Sequence, residues 1–294
     1  MSGSTRSGSK KKAPHKFPPG YPQAKTAKIS KRRKEQRPPE AGLIPITGKR
    51  PVAELLRRGI QPERLLIAVR ERQEKEGDLL KHCRSAGWKV EEKERGQLDD
   101  AAEGLHHQGY VALIREFPYS SREELIELAQ QGASLHADPI FIALDQIQDA
   151  GNLGAILRSA ECAGVKGAII PLHRSAGVSA AVIRRSAGAA LHLPICRVVN
   201  LSAILDELKA AGFRIYGADQ EGSRSLFKAD LGGPIIIVIG SEERGLRPGV
   251  KRRCDELLGI PLHGRIASLN ASAAAAVFLY EAVRQRLQTH LDPG

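Results

Sequence analysis

From Leu43 onward the chain alternates short apolar runs with stretches in which apolar residues recur every three or four positions, the pattern of strands interleaved with helices. Strands are predicted at Ile44 to Thr47, Arg64 to Val69, Trp88 to Val90 and Tyr110 to Ile114, and helices at Pro51 to Arg58 and Asp78 to Ala86. These elements form a small α/β unit of about 75 residues, within the usual size of a domain. Ser120 to Gln131 is charged and helical in pattern, with Ser121 as cap and Glu124 completing a capping box, and it reads as a connector.

A second unit starts near Asp138. Apolar runs at Ile140 to Leu144, Gly167 to Ile170, Leu191 to Ile195, Arg214 to Tyr216, Ile235 to Ile239 and Leu257 to Ile260 alternate with helical patterns, which predicts a largely parallel sheet covered on both faces. Ile235 to Ile239 is apolar at every position and reads as the central strand. Open sheets of this kind bind ligands beyond the carboxyl ends of their strands. Three polar, glycine-bearing blocks fall at or just after such ends: Asn152 to Arg158, Gly240 to Gly245 and Ile260 to Asn270.

Each block has an ordinary scaffold explanation. Asn152 suits the cap of a helix whose apolar positions are Leu153, Ile156, Leu157, Ala160 and Gly164, and Arg158 lies about 140° from Leu153 on the wheel, off the buried stripe. Alone, that block describes a cap and a solvated charge. Gly240-Ser-Glu-Glu-Arg-Gly245 could be a polar loop, although polar residues crowded after a central strand are where ligand contacts are expected. In the third block, Ser268 and Asn270 precede Ala271 to Tyr280, a segment apolar on nearly every face that must be buried against the sheet or a second subunit. Either residue could cap that helix, and the orphan N–H groups at its entrance would also favour an anion or polar ligand.

Composition narrows the class. The chain has 294 residues, 41% of them hydrophobic, and a mean hydropathy of −0.28, enough to bury a core in about two domains. No apolar run reaches the roughly 20 residues of a spanning helix, and the start lacks the apolar region of a secretory signal, so a cytoplasmic location and no membrane partner are expected. Cys83, Cys162, Cys196 and Cys254 are far apart with no paired spacing, which argues for reduced thiols and against a zinc site or disulfide framework. His106 and His107 read as solvated loop residues. Lys251, Arg252 and Arg253 read as a charged helix face, and no metal site is expected.

The net charge of +12 is unevenly placed. Residues 1–40 hold twelve Lys/Arg against only Glu35 and Glu40, so ten of the twelve excess positive charges sit there. With six prolines and almost no apolar periodicity, this tail cannot repay the entropy of folding and reads as disordered. A flexible polycation releases counterions from phosphates, which predicts sequence-independent, salt-sensitive affinity for nucleic acid.

Taken together, Asn152-x-Gly with Arg158, Gly240-x-Glu242, and Ile-Pro-Leu followed by Ser268-Leu-Asn-x-Ser272 resemble, in order, the three motifs of the SpoU, or TrmH-like, RNA ribose 2′-O-methyltransferases of the SPOUT superfamily. Residues 43–115 resemble the ribosomal-protein-like substrate-binding domain that many members carry ahead of the catalytic one. The resemblance implies an α/β, mostly parallel sheet with a deep trefoil knot, a homodimer, and S-adenosyl-L-methionine as cofactor. The resemblance covers everything except the basic tail, so the chain is expected to divide into a disordered basic tail over 1–42, an RNA substrate-binding domain over 43–117, a linker over 118–137 and a SpoU-type methyltransferase domain over 138–294.

By the same resemblance, Asn152, Arg158, Glu242, Ser268 and Asn270 make the catalytic cluster, and backbone groups around Gly240, Ile260 and Leu269 hold the cofactor. Because guanidinium is almost always protonated, Arg158 is better suited to electrostatic stabilisation or a phosphate than to the role of base. The small front domain, and an end at Gly294 only a few residues past the last predicted helix, look closest to enzymes that methylate a guanosine in large-subunit ribosomal RNA. The alternatives are a tRNA ribose methyltransferase and a non-catalytic RNA-binding or ribosome-assembly factor. Neither G-x-G-x-x-G after a strand nor G-x-x-x-x-G-K-[ST] occurs, so a standard dinucleotide fold and a P-loop ATPase lack their phosphate cradles.

Overall fold

Ile140–Asp145 and Ile235–Gly240 are buried at every position, and their alternate side chains enter different cores. Ile140, Ile142, Leu144, Ile235, Ile237 and Ile239 face one layer, while Phe141, Ala143, Ile236 and Val238 face the other. Successive side chains of a strand point to opposite faces, so a run apolar at every position needs cover on both sides. The computed structural model that shows this describes residues 42–69, 77–134, 138–222, 224–266 and 268–291. The basic tail expected at the N-terminus lies outside the described residues.

The first unit contains β1 (Ile44–Thr47), α1 (Lys49–Arg57), β2 (Arg64–Ala68), α2 (Asp78–Ser85), β3 (Val90–Lys93), α3 (Arg95–Ala101) and β4 (Tyr110–Ile114). Its four strands run in the order β1-β4-β2-β3. β4 pairs antiparallel with both β1 and β2, and β3 runs parallel to β2. Val52 and Leu55 of α1 and Leu80 and Cys83 of α2 share one core, and Leu98 of α3 joins Leu66, Val111 and Leu113 on the other face.

Helix α4 (Arg122–Ser134) follows. Its predicted capping box is present: the Ser121 N–H donates to Glu124 Oε2 at 2.8 Å and the Glu124 N–H to Ser121 Oγ at 3.0 Å. The helix also has a packing role, because Leu125 and Ala129 are buried in the second core of the large sheet.

The second unit comprises β5 (Ile140–Asp145), α5 (Ala150–Cys162), β6 (Gly167–Pro171), α6 (Ala180–Arg185), β7 (Ile195–Val198), α7 (Leu201–Ala210), β8 (Arg214–Ala218), β9 (Arg224–Ser225), β10 (Ile235–Gly240), α8 (Pro248–Lys251), β11 (Glu256–Gly259) and α9 (Ala271–Leu291). The strand order is β7-β6-β5-β10-β8-β11-β9, every pair parallel. β10 is the middle strand, as its uninterrupted apolar run predicts. α5, α6 and α9 cover one face; α4, α7 and α8 cover the other.

Three expectations need correction. The strand expected over Leu191 to Ile195 is Ile195–Val198, because Pro194 has no N–H for the ladder and the preceding residues form a short 3₁₀ turn at Ala189–Leu191. The strand expected at Trp88 to Val90 is the edge strand Val90–Lys93; its Glu91 meets Arg64, Lys89 and Lys93, so its apolar pattern is weak. Gly164 lies beyond the helix it was assigned to, with φ +73°, and reverses the chain after Cys162.

All four cysteines are free, with Cys83 and Cys196 buried and Cys162 exposed. Burial pushes the Cys196 thiol up to about 11 and the Cys254 thiol up to about 12. Among the described residues no helix is long and apolar enough to cross a membrane, and no group of three or more His, Cys, Asp or Glu could hold a metal ion.

Candidate active site at the carboxyl edge of the large sheet

The three blocks meet where β5, β10 and β11 end. α5 begins three residues earlier than the sequence suggests: Asp149, not Asn152, is its cap, and the Asp149 Oδ1 accepts the Asn152 N–H at 2.7 Å. Asn152 therefore sits inside the first turn, and its amide is free for other bonds. The Asn152 Nδ2 donates to Glu242 Oε1 at 3.1 Å, and the Asn152 Oδ1 accepts from Asn270 Nδ2 at 2.9 Å.

Asn270 caps α9, with its Oδ1 accepting from the N–H groups of Ser272 at 2.9 Å and Ala273 at 3.4 Å and from the Ser272 hydroxyl at 2.5 Å. Its Nδ2 also donates to Glu242 Oε1. The same carboxylate oxygen accepts the Ala271 N–H at 3.1 Å, which sets a negative charge at the positive end of the helix. Asn152, Glu242 and Asn270, separated by 90 and 28 residues, thus share one hydrogen-bonded cluster.

Beside it lies a cleft of about 360 Å³. Gly240, Glu242, Ile260, Ser268 and Leu269 all line it, so five of the eight expected site residues border one cavity. Asn152 and Asn270 reach it through Glu242. Gly240 is fixed by sterics: a β-carbon there would stand 2.3 Å from the Gly245 carbonyl carbon and 2.6 Å from the Leu246 nitrogen. Gly245, at φ +60°, closes the turn back onto Ser241. The opposite wall is tied by Gln220, whose Nε2 donates to the Ile260 carbonyl at 3.3 Å. Asp219, Glu221, Glu242 and Glu243 outnumber Arg244 and Lys251 along the lining, so the cleft favours a cation.

Arg158 stands apart. It is exposed on α5 and makes no hydrogen bond or ion pair among the described residues, consistent with its position off the buried stripe. Lys251 pairs with Asp219, and Arg253 with Asp206 at 3.2 Å, so both have internal partners. His107 is buried rather than solvated: its Nε2 lies 2.9 Å from Asp99 Oδ1 and its Nδ1 accepts the Gly109 N–H at 3.0 Å. Asp99 is eight residues upstream in α3, a helix absent from the expected elements, so sequence spacing does not pair its carboxylate with His107.

Sequence reasoning also missed Asp145. It is wholly buried at the end of β5, in register with Gly240 of β10, and accepts from Arg247 through both its backbone N–H at 2.8 Å and its Nε at 2.7 Å. The available signal was a carboxylate closing an otherwise apolar strand, which needs a partner when buried.

Comparisons with known proteins agree on one family. Residues 139–280 match the SpoU rRNA Methylase family, and residues 45–120 match the domain described as RNA 2′-O ribose methyltransferase substrate binding. A protein of Mycolicibacterium paratuberculosis called an uncharacterized tRNA/rRNA methyltransferase is 36% identical over 269 residues, 91% of this chain and 85% of that one. Among solved structures, the SpoU methyltransferase AviRb of Streptomyces viridochromogenes, in complex with AdoMet, superimposes with a TM-score of 0.64 at 26% identity, over 87% of this chain and 95% of that one. The AdoMet-bound rRNA methyltransferase of Sinorhizobium meliloti gives 0.65 at 25% identity, over 83% and 88%.

Proposed function

Because the chain belongs to the SpoU family of RNA methyltransferases, we propose that it methylates the ribose 2′-hydroxyl of a guanosine in large-subunit ribosomal RNA, using S-adenosyl-L-methionine. The observation that carries this reading is the meeting of Asn152, Glu242 and Asn270 beside a cleft bordered by Gly240, Ile260 and Leu269. The Sinorhizobium relative, described as an rRNA methyltransferase, favours ribosomal over transfer RNA.

The cleft fits the cofactor on its own chemistry. Its volume lies in the roughly 300–1,000 Å³ range of small-molecule sites. Ile239, Leu258 and Ile260 offer an apolar wall for a purine, the 240–245 turn offers backbone groups, and the carboxylates suit a cationic ligand. When bound, S-adenosylmethionine supplies an electrophilic methyl group on a sulfonium. Glu242 holds the start of α9 and the Asn152 amide in one geometry, so the cleft and the start of α5 keep a fixed relation. Arg158, exposed and without a carboxylate partner, is a permanent cation that meets the negative charge of the RNA beside the reacting ribose. Ser268 borders the cleft, where its hydroxyl would meet the cofactor or the ribose.

In this reading the small domain, residues 43–117, binds the RNA and residues 118–137 link it to the methyltransferase domain at 138–294. The basic residues of 1–42 add salt-dependent affinity. The enzyme acts in the cytoplasm as a homodimer, which would cover Tyr280 and Leu287, exposed on α9.

The test is transfer of labelled methyl from S-adenosylmethionine to bulk ribosomal and transfer RNA, followed by mapping of 2′-O-methyl sites. Label in one guanosine of large-subunit RNA is expected, and Arg158→Ala abolishes it while the protein still folds and binds cofactor. Label confined to transfer RNA, or undiminished turnover by Arg158→Ala, would overturn the corresponding part.

A further inference from the structure

Helices α5 and α6 cross at Gly154. A β-carbon at that position would lie 2.5 Å from the Arg185 Cβ, 3.0 Å from the Val182 carbonyl oxygen and 3.1 Å from the Ser186 nitrogen. The glycine of the Asn152-x-Gly motif therefore lets α6 rest its backbone on α5, and the root of the Arg185 side chain lies on the surface of α5.

Arg158 is one helical turn beyond Gly154. Residues at i and i+4 have Cβ atoms about 5–6 Å apart, so the Arg158 and Arg185 Cβ atoms lie within roughly 9 Å of each other. Their side chains can converge on a shared point. Both residues are exposed, and neither has a hydrogen-bond or ion-pair partner among the described residues. The neighbouring Arg184 differs: its Nη1 donates to the Glu103 carbonyl oxygen at 2.8 Å and approaches the Glu103 carboxylate at 3.5 Å. Arg184 thus binds α6 to the small domain while Arg185 remains available.

The mounting is rigid. Ser186 is wholly buried, its hydroxyl donating to the Ile183 carbonyl at 2.9 Å and accepting the Ala190 N–H at 3.3 Å, which fixes the end of α6 directly after Arg185. Two neighbouring guanidinium groups without a carboxylate repel one another until an anion lies between them. Their planar forks match the oxygens of a phosphodiester. Arg158 is six residues along α5 from Asn152, about 9 Å along the axis, so such an anion sits close to the cluster at the cleft.

We infer that Arg158 and Arg185 form a two-guanidinium clamp for one backbone phosphate of the RNA, placed where a strand passes from the small domain over α6 towards the reactive ribose. The inference rests on the proposed RNA methyltransferase reading and adds Arg185, which no sequence motif marks. Arg185 is a substrate-binding residue, and Gly154 serves to place it.

The experiment measures fluorescence anisotropy of a labelled oligouridylate over a range of salt concentrations with the full-length chain. The variants are Arg158→Ala, Arg185→Gln, Arg185→Lys and the double Arg158→Ala/Arg185→Gln. Each neutralising single variant is expected to weaken binding and lower the salt slope by roughly one. Because the two arms share one phosphate, the double variant should lose less than the two singles combined. Arg185→Lys should keep the salt slope while losing part of the affinity, since it retains charge without the fork.

Calorimetry with S-adenosylmethionine should give the parent affinity for Arg185→Gln. Unchanged RNA affinity and slope in folded Arg185→Gln, or losses that add, would overturn the clamp. Methyl transfer by the parent protein is assayed separately: its absence overturns the enzymatic reading, while the anisotropy series still decides the clamp.

Discussion

Asp145 and Arg247 are 102 residues apart in sequence, yet the buried carboxylate accepts both the backbone N–H and the Nε–H of that arginine, at 2.8 and 2.7 Å. The pair joins the end of β5 to the start of α8 and so holds the loop after β10 against the cleft. Removing the charge leaves two donors facing an amide that can satisfy at most part of them. Asp145→Asn should destabilise the fold by about 1–3 kcal/mol, read by urea denaturation, and weaken S-adenosylmethionine binding, read by calorimetry. Parent-like values for both would show that the loop is held by other contacts.

Glycines around the cleft should divide sharply on substitution. Alanine at Gly240 would press its β-carbon onto the Gly245 and Leu246 backbone, which cannot rotate away, whereas nothing lies within 4 Å of the same atom at Gly264. Gly240→Ala should abolish cofactor binding and lower the melting temperature. Gly264→Ala should stay within about 0.5 kcal/mol of the parent. Equal effects at the two positions would contradict the backbone closure described for the 240–245 turn.

Periodicity made the large sheet legible because its strands are buried on both faces: Ile235–Gly240 leaves no polar position to mask its nature. It failed where burial was partial. Val90–Lys93 carries three charged residues in four, and α3 announces itself only through the Glu94 and Gln97 capping box. The candidate site was legible as motifs, and its internal wiring was not. Asn152 reads as a cap from its residue type, but Asp149 takes that place and leaves the Asn152 amide to bridge loops. Partnerships such as Asp145 with Arg247 depend on chain crossings that no local pattern records.

Glu281 gives the structure an acid-sensitive contact on α9. Its carboxylate accepts from Arg284 at 2.8 and 2.7 Å and from Gln285 at 2.8 Å. The Arg284 hydrogen bonds, against an opposing effect of burial, hold its pKa below the usual carboxylate value. A depressed carboxyl pKa contributes stability above the unfolded value of about 4.3 and loses it as pH falls through the folded value. The melting-temperature gap between the parent and Glu281→Gln should therefore be steady from neutrality to about pH 5 and narrow below it. A gap that stays constant into the acid range would remove Glu281 as the source.

The Glu242 cluster predicts an order among its own variants. One carboxylate oxygen accepts from the Asn152 Nδ2, the Asn270 Nδ2 and the Ala271 N–H, so it both neutralises the start of α9 and sets the two asparagines. Glutamine retains a carbonyl that can accept from the same side but gives up the charge at the helix entrance, a loss of about 0.3–1 kcal/mol. Alanine removes the acceptor altogether and leaves Asn152 and Asn270 to turn towards water. Asn270→Ala loses the cap of α9 and should cost about 1 kcal/mol. In steady-state methyl transfer, kcat should fall further for Glu242→Ala than for Glu242→Gln, because only the alanine variant releases the start of α5 from the cleft. Equal kcat for the two variants would mean that charge alone matters, and parent-like kcat for Glu242→Ala would mean that the cluster is scaffold.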